Sequence, residues 1–408
     1  MKLLKSIILA APLALIAMTA CNSEGDNFEY HKPQVYITGT DSSPIVKFKV
    51  DDTPASYALT ASSTHKADGD IHVTFAYDPA ALEAYNQKQG TTLAPLPADN
   101  FELSSSEGVI KAGGSFSDPV NVTITSTEGL DDAVTYVIPL SITNCSGSQI
   151  LEPSKTVFLQ LARTINFMSL DLSNYSMYAG MYFNEEFGFP EDKTIDLGAS
   201  YTYEVKCYLN QFRSISRMMN FRGSNINGMF RFGEGGYPVN SLQWCGAGAG
   251  NHVLKYSFET NRWYMITLTY DGTQFTLYVD GEKDTEVASS NGANVFKGIE
   301  LGMSWENYPS QQRFNGRIAE VRVWDRVLGA AEIKGSLCGV KADSPGLRAY
   351  WKFNEGEGHI FHDATGNGYD MDWSKSKREK KEGAGEVPTP EAADYVQWKK
   401  DANNKCAQ

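Results

Sequence analysis

Arg262-Trp263-Tyr264-Met265-Ile266-Thr267-Leu268-Thr269-Tyr270, then Asp271-Gly272, then Phe275-Thr276-Leu277-Tyr278-Val279, then Asp280-Gly281 is the stretch whose reading decides the fold. It continues downstream in Gly298-Ile299-Glu300-Leu301-Gly302-Met303-Ser304-Trp305 and in Phe314-Asn315-Gly316-Arg317-Ile318-Ala319-Glu320-Val321-Arg322-Val323-Trp324, and closes at Leu328. Phe275, Leu277 and Val279 fall on one face of a strand, as do Ile299, Leu301 and Met303. Asp-Gly suits the turns between such strands, because Gly accepts positive φ and Asp bonds its own backbone. Antiparallel strands with one buried face build a sandwich and not a parallel nucleotide-binding sheet.

The order of these pieces resembles the laminin-G-like, concanavalin-type jelly roll. Trp263-Tyr264 opens a strand, Tyr270-Asp271-Gly272 and Leu277-Tyr278-Val279-Asp280-Gly281 follow, and Val321-Arg322-Val323-Trp324 precedes Glu332-Ile333. The likeness runs on through Gly346-Leu347-Arg348-Ala349-Tyr350-Trp351-Lys352-Phe353 and Asp363-Ala364-Thr365-Gly366. It spans Ile165 to about Trp373, with a last strand expected near Tyr395, inside a domain set at 164–408. The resemblance implies the fold and leaves the function open, since one fold hosts many sites.

The 408 residues are enough for two domains, and 21 Tyr, 20 Phe and 7 Trp make the chain rich in aromatics. A formal charge of −13, with no basic cluster beyond Lys375–Lys381, argues against nucleic acid as a partner. Anionic lipid would repel such a chain, so attachment to a membrane calls for an anchor. Met1-Lys2-Leu3-Leu4-Lys5 is a basic start, Ile7 to Met18 is apolar but short for a bilayer, and Met18-Thr19-Ala20-Cys21 places small residues before a cysteine. This resembles a bacterial lipoprotein signal over 1–20, with Cys21 lipidated after cleavage; an ordinary secretory signal is the other reading. Each buried acyl CH₂ would contribute about 0.8 kcal/mol of anchoring. Ser23-Glu24-Gly25-Asp26, within a tether at 21–32, resembles the surface-export signal of Bacteroidetes lipoproteins or is a solvated linker. Together these features imply an outer-membrane, lipid-anchored protein facing the exterior.

Residues 33–163 read as a first sandwich. Val35–Ile37, Ile45–Phe48, Tyr57–Leu59, Ile71–Tyr77, Val120–Ile124, Tyr136–Ile142 and Val157–Leu161 are strand-like, in the manner of an immunoglobulin-like fold. One helix is expected where Asp78 can cap, Pro79 can start and Gly90 can stop it. Tyr85-Asn86-Gln87-Lys88-Gln89-Gly90-Thr91, Leu96-Pro97, Gly113-Gly114 and Tyr136-Val137-Ile138-Pro139-Leu140-Ser141-Ile142 resemble a Bacteroidetes domain of formerly unknown function. That domain begins cell-surface glycan-binding proteins and some secreted endo-acting glycosidases, usually as a spacer. The fold class expected is all-β: an immunoglobulin-like sandwich followed by a concanavalin-type jelly roll. The charged, low-complexity run 374–394 reads as a disordered loop.

Cysteine spacing shows no zinc pattern. A Cys338–Cys406 disulfide would staple a lone C-terminal strand to the sandwich; small buried thiols are the alternative.

For catalysis, glycosidases of this sandwich type place carboxylates at alternate positions of one strand, as Glu-x-Asp-x-(x)-Glu. No such run occurs. Glu320 stands alone beside Arg322, which reads as a surface ion pair. No nucleophile elbow, P-loop or HExxH is present. The expectation is therefore a non-enzyme without a required cofactor; a glycosidase with carboxylates from separate strands and a protein-adhesion module are the alternatives.

For binding, sugars need aromatic platforms with amides, carboxylates or arginines around them. Ser304-Trp305-Glu306-Asn307-Tyr308-Pro309-Ser310-Gln311-Gln312-Arg313 fits, with Trp305, Asn307, Tyr308 and Arg313 as candidates. So does Gly233-Glu234-Gly235-Gly236-Tyr237-Pro238-Val239-Asn240 leading to Gln243-Trp244, with Tyr237 and Trp244, and with Arg222, Asn225 and Asn227 on a nearby turn. Trp244 and Trp305 can equally be packing residues, and Trp263, Trp324 and Trp351 are expected in the core. Asp363-Ala364-Thr365-Gly366-Asn367-Gly368 can offer calcium ligands or form a plain turn. The partners implied are a glycan, an outer-membrane transporter system of the polysaccharide-utilization type, and the membrane through Cys21.

Overall fold

The computed structural model describes residues 33–173, 179–189, 193–225, 228–246, 250–290, 292–302, 312–376 and 396–407. The signal and tether with Cys21, the residues Trp305, Asn307 and Tyr308, Asn227, and 377–394 of the low-complexity run lie outside them.

In the first domain, alternation does what the sequence implies. Ile71, Val73 and Phe75 of strand Ile71–Tyr77 face the core, and so do Val120, Val122 and Ile124 of strand Val120–Ile124. One sheet orders Ile45–Val50, Thr156–Arg163, Tyr136–Cys145, Ile71–Tyr77 and Glu107–Ile110; a second orders Ala55–Leu59, Val120–Ile124 and Phe101–Leu103. Helix Pro79–Gln89 begins where the Asp78 carboxylate accepts from the Ala81 amide at 3.1 Å and ends at Gly90, whose φ is 66°. It buries Leu82 against Val137 and Phe158, with Tyr85 tilted on Phe158 at 4.7 Å.

The second domain is a sandwich of an eight-stranded and a seven-stranded sheet. The first sheet orders Glu282–Ala288, Gln274–Val279, Trp263–Tyr270, Tyr201–Leu209, Gly316–Trp324, Ile165–Asp171 and Trp398–Asn403, with Leu347–Trp351 also paired to Gly316–Trp324. The second orders Ala179–Tyr182, Asn294–Leu301, Ser216–Gly223, Gly228–Phe232, Ser241–Gly246 and Gly250–Ser257, with Ile195–Gly198 beside Asn294–Leu301. Asp280 and Gly281, at φ 53° and 80°, make the tight turn that Asp-Gly predicts. Phe275, Leu277, Val279, Ile299 and Leu301 share one core, and Trp263, Trp324 and Trp351 are buried. The closing strand is Trp398–Asn403, three residues beyond the Tyr395 expected, and it pairs antiparallel with Ile165–Asp171. Cys338 and Cys406 are disulfide-bonded beside it; Cys145, Cys207 and Cys245 are free thiols.

The eight-stranded sheet carries a polar cluster on its outer face, at positions alternating with core residues. Tyr203, Val205 and Cys207 point into the sandwich, so Glu204 and Lys206 point away from it. Arg322 is fully buried there. It donates to Glu204 Oε2 at 3.2 Å and to the Ser336 carbonyl at 3.1 Å, and pairs with Glu320. Trp324 Nε1 and Thr267 Oγ1 donate to the Glu204 oxygens at 3.0 and 3.2 Å, and Tyr350 OH donates to Glu320 at 2.7 Å. Lys206 Nζ lies 3.8 Å from Glu320 and over the Phe167 ring. The Glu320–Arg322 pair is thus buried and part of a network, not the surface pair expected from sequence. It is buried because helix Ala330–Gly335, Leu328 and Tyr350 cover it, and the first domain's Asp131–Ala133 lies beside it.

Two outcomes follow for stability. Arg322→Met leaves the fully buried Glu204 without a cation and Glu320 with Lys206 alone, and should lower unfolding stability by about 3–5 kcal/mol in urea titration; a loss below about 1 kcal/mol contradicts the burial. Burial by itself raises the Glu320 carboxyl, but Arg322 and Lys206 outweigh it and hold it at about 2. A depressed carboxylate stabilises above its unfolded value of about 4.3, and that contribution disappears as pH falls toward 2. Thermal midpoints should drop across that window in the wild type, and less in Glu320→Gln.

Candidate functional site

The other sheet turns a polar row outward. In strand Ser216–Gly223, Met219 and Phe221 enter the core, leaving Asn220 and Arg222 outside. Phe230 and Phe232 leave Arg231 outside, and Leu242 and Trp244 leave Gln243 outside. Ile299 and Leu301 do the same for Glu300. Register aligns these positions: Asn220 opposite Glu300, Arg217 opposite Arg231, and Arg231 opposite Gln243.

At one end of the row Glu300, fully buried, accepts from Tyr182 OH at 2.8 Å and from Asn220 Nδ2 at 2.8 Å, and Arg222 Nε lies 3.5 Å away. At the other end Glu234 Oε2 lies 2.5 Å from Arg231 and 3.6 Å from Arg217. Arg231 Nε donates to Gln243 Oε1 at 3.0 Å, and Gln243 Nε2 donates to the Glu234 carbonyl at 2.9 Å. Arg217 Nε donates to Gln312 Oε1 at 2.9 Å, and the Arg313 backbone bridges to Arg217. Arg217 therefore joins Glu234 of the glycine loop to Gln312 and Arg313, the last two residues of the second stretch that the sequence singled out.

The glycine loop is shaped by Gly233, at φ 63°. A Cβ there would stand 2.8 Å from the Arg213 carbonyl. The loop lifts Tyr237 into solvent, 49% exposed, three residues after Glu234 in the chain.

The sequence candidates divide as follows. Tyr237 is an exposed aromatic, Arg222 is on the outer face, and Arg313 is there but buried. Trp305, Asn307 and Tyr308 lie outside the described residues. Trp244 is corrected: it is fully buried against Phe275 at 4.5 Å, because alternation with the outward Gln243 turns it into the sandwich. Asn225 is spent on a turn, donating to the Ala293 carbonyl. Asp363 organises the plain turn. Its carboxylate accepts from the Tyr350 amide at 3.0 Å, from the Thr365 amide and hydroxyl at 3.1 and 2.8 Å, and from the Tyr369 amide at 3.3 Å. Its oxygens are committed to the backbone, and among the described residues no carboxylate, histidine or cysteine cluster suits a metal. Sequence reading missed Arg217, Asn220 and Arg231. The signal was a single polar residue between two apolar ones, as in Phe230-Arg231-Phe232.

A concavity of about 480 Å³ lies at the domain junction, with Thr135, Gln160 and Arg163 on one side and Arg262, Lys334 and Lys405 on the other. Its charges are paired within the chain: Arg163 with Asp132 at 3.1 Å, Arg262 with Asp280 at 3.2 Å, Lys405 with Asp280 and Lys334 with Glu282. None of its described lining residues is aromatic, so it lacks a platform for a sugar ring.

The fold and the outer face define an all-β protein with a concanavalin A-like second domain. Residues 186–334 match the family model of the concanavalin A-like lectin/glucanase superfamily, of the laminin-G type, and residues 30–149 match a model for an N-terminal domain. Both resemblances read from the sequence are met. No curated protein matches the chain. Among solved structures it is similar to a Bacteroides ovatus protein for which carbohydrate binding has been proposed: 25% identity, 82% of this chain and 94% of that one covered, TM-score 0.56. Partial likenesses are to Bacteroides thetaiotamicron EndoBT-3987 (24% identity, 32% and 30% covered, TM-score 0.27) and a Limulus polyphemus pentraxin (13% identity, 43% and 83% covered, TM-score 0.31). These last two scores are too low to argue from.

Asp363→Ala should lower stability by about 1–3 kcal/mol through the orphaned amides, while a chelator leaves the wild-type melting temperature in place. A chelator-induced drop would return Asp363 to the metal reading.

Proposed function

We propose that this chain binds a glycan at the cell surface, on the outer face of the seven-stranded sheet, and does not cleave it. The observation that carries the reading is the outward polar row in which Arg217 ties Glu234, in the loop that bears the exposed Tyr237, to Gln312. The similarity to the Bacteroides ovatus protein over 82% of this chain supports it. Against catalysis, Glu300 is sealed by hydrogen bonds and Glu234 is held between two guanidiniums. Neither is poised as a paired acid and base.

The lipobox-like Met18–Cys21 and the acidic residues after it support an outer-membrane anchor facing outward. The first sandwich serves as spacer, and the second presents the glycan to a neighbouring outer-membrane uptake system of the polysaccharide-utilization type. A modest exposed site of this kind works by many copies on one polymer.

A glycan array with the mature chain lacking Cys21, with product analysis of each hit, tests binding against cleavage. Binding without turnover is expected; a cut hit would make the protein an enzyme. Tyr237→Ala and Trp305→Ala should each weaken the hit by about 1–3 kcal/mol, with circular dichroism unchanged. Unchanged affinity in both places the site elsewhere. Cys21→Ser should abolish labelled-palmitate incorporation; continued labelling refutes the anchor.

A further inference from the structure

We propose that the C-terminal turn Asn404–Ala407 is a clamp that locks the two domains into one rigid body, and that the Cys338–Cys406 disulfide holds the clamp shut. The inference is independent of the glycan-binding reading. The chain passes from the first domain to the second with a single residue between strands: Thr156–Arg163 ends, Thr164 intervenes and Ile165–Asp171 begins. Thr164 belongs to the first domain, because its amide donates to the Val50 carbonyl at 3.3 Å and its hydroxyl to Asp51 at 3.2 Å. Ile165 belongs to the second, paired with Asn403 of the closing strand. One covalent crossing of this kind is a hinge, and domains joined by a hinge alone move relative to each other. Holding their angle takes further contacts.

Two such contacts exist, and the disulfide joins them. The closing strand Trp398–Asn403 ends opposite Ile165, so the turn that follows is carried past the domain boundary and lies against strand Thr156–Arg163. Asn403 shapes the turn: its side chain accepts from the Lys405 amide at 3.3 Å and donates to Cys406 Sγ at 2.8 Å. Lys405 pairs with Asp280 of the second domain. The other contact is made by Gly339, next to Cys338. A Cβ at 339 would stand 3.4 Å from the Ala133 nitrogen and 3.6 Å from its Cα, and the glycine's φ of 147° is one that L side chains rarely adopt. A gap of about 50 Å³ separates Asp131–Ala133 from Glu320, Tyr350 and Lys352 of the second domain. This loop is itself fixed to the first domain, since Arg163 donates to the Asp131 carbonyl at 2.6 Å and pairs with Asp132 at 3.1 Å. Cys338 and Cys406 are 68 positions apart in sequence, so without their bond the two contacts could give way independently. With it, the segment at Gly339 and the terminal turn move only together. The first domain is thus gripped at a loop and at a strand besides the covalent crossing, and it sets the direction in which the second domain faces.

Small-angle X-ray scattering of the mature chain lacking Cys21 tests the clamp, with the double substitution Cys338→Ser and Cys406→Ser as the variant. The oxidised wild type should fit a single angle between the domains. The variant should show a larger radius of gyration and a larger maximum dimension, with circular dichroism unchanged. A disulfide that only staples the closing strand within the second domain would leave the scattering curve unaltered, and that result overturns the proposal. So does a wild type whose curve already requires a range of angles. Should the double variant lose its circular dichroism, Ala133→Trp carries the test, because it keeps the disulfide and places in the gap beside Gly339 a side chain too large for it. Expansion like that expected of the serine pair supports the clamp, and scattering identical to the wild type overturns it. Neither result bears on glycan binding, which the array tests separately.

Discussion

Arg322 is the ion on which the second domain depends. It stands at full burial between Glu204 and Glu320, and ties the central strand Gly316–Trp324 to its neighbour Tyr201–Leu209 and to the Ser336 carbonyl. A charge without water must be compensated on all sides. Glu204 accordingly collects Trp324 and Thr267, and Glu320 collects Tyr350 and Lys206. The eight-stranded sheet thereby has both faces closed, one by the apolar core and one by this cluster and what covers it.

The same device is used in the seven-stranded sheet to a different end. Outward arginines are held by shared carboxylates and amides, so their orientation is fixed before any ligand arrives. Preorganised donors of this kind lose little entropy on binding. The cluster around Arg322 is charge-balanced by two acids and sealed, whereas Arg217 and Arg231 of the row both reach Glu234, in the loop that carries the exposed Tyr237.

Much of this was legible from the chain. Alternation in Phe275–Val279 and Ile71–Phe75, the Asp-Gly turn at 280–281 and the Asp78-Pro79 start of the helix each state a local preference that tertiary packing respects. The site was half legible. Loops rich in aromatics, glycine and amides declare themselves by composition, so 233–240 and 304–313 stood out. Arg217 and Arg231 did not, because their meaning comes from cross-strand register, which no local window contains. Trp244 was ambiguous for the related reason that a bulky aromatic suits either face of a strand; only the neighbours Gln243 and Phe275 decide it. Glu320 looked superficial because sequence cannot foresee that Leu328, Tyr350 and helix Ala330–Gly335 will cover it.

The disulfide bears on what happens when the backbone is broken. Cys338 and Cys406 bracket 377–395, and strand Trp398–Asn403 beyond that segment completes the sheet against Ile165–Asp171. A protease that cuts once between 376 and 396 severs the backbone but not the molecule: the terminal peptide stays covalently attached through Cys406 and hydrogen-bonded along the sheet edge. A nick there is a scar and not an amputation.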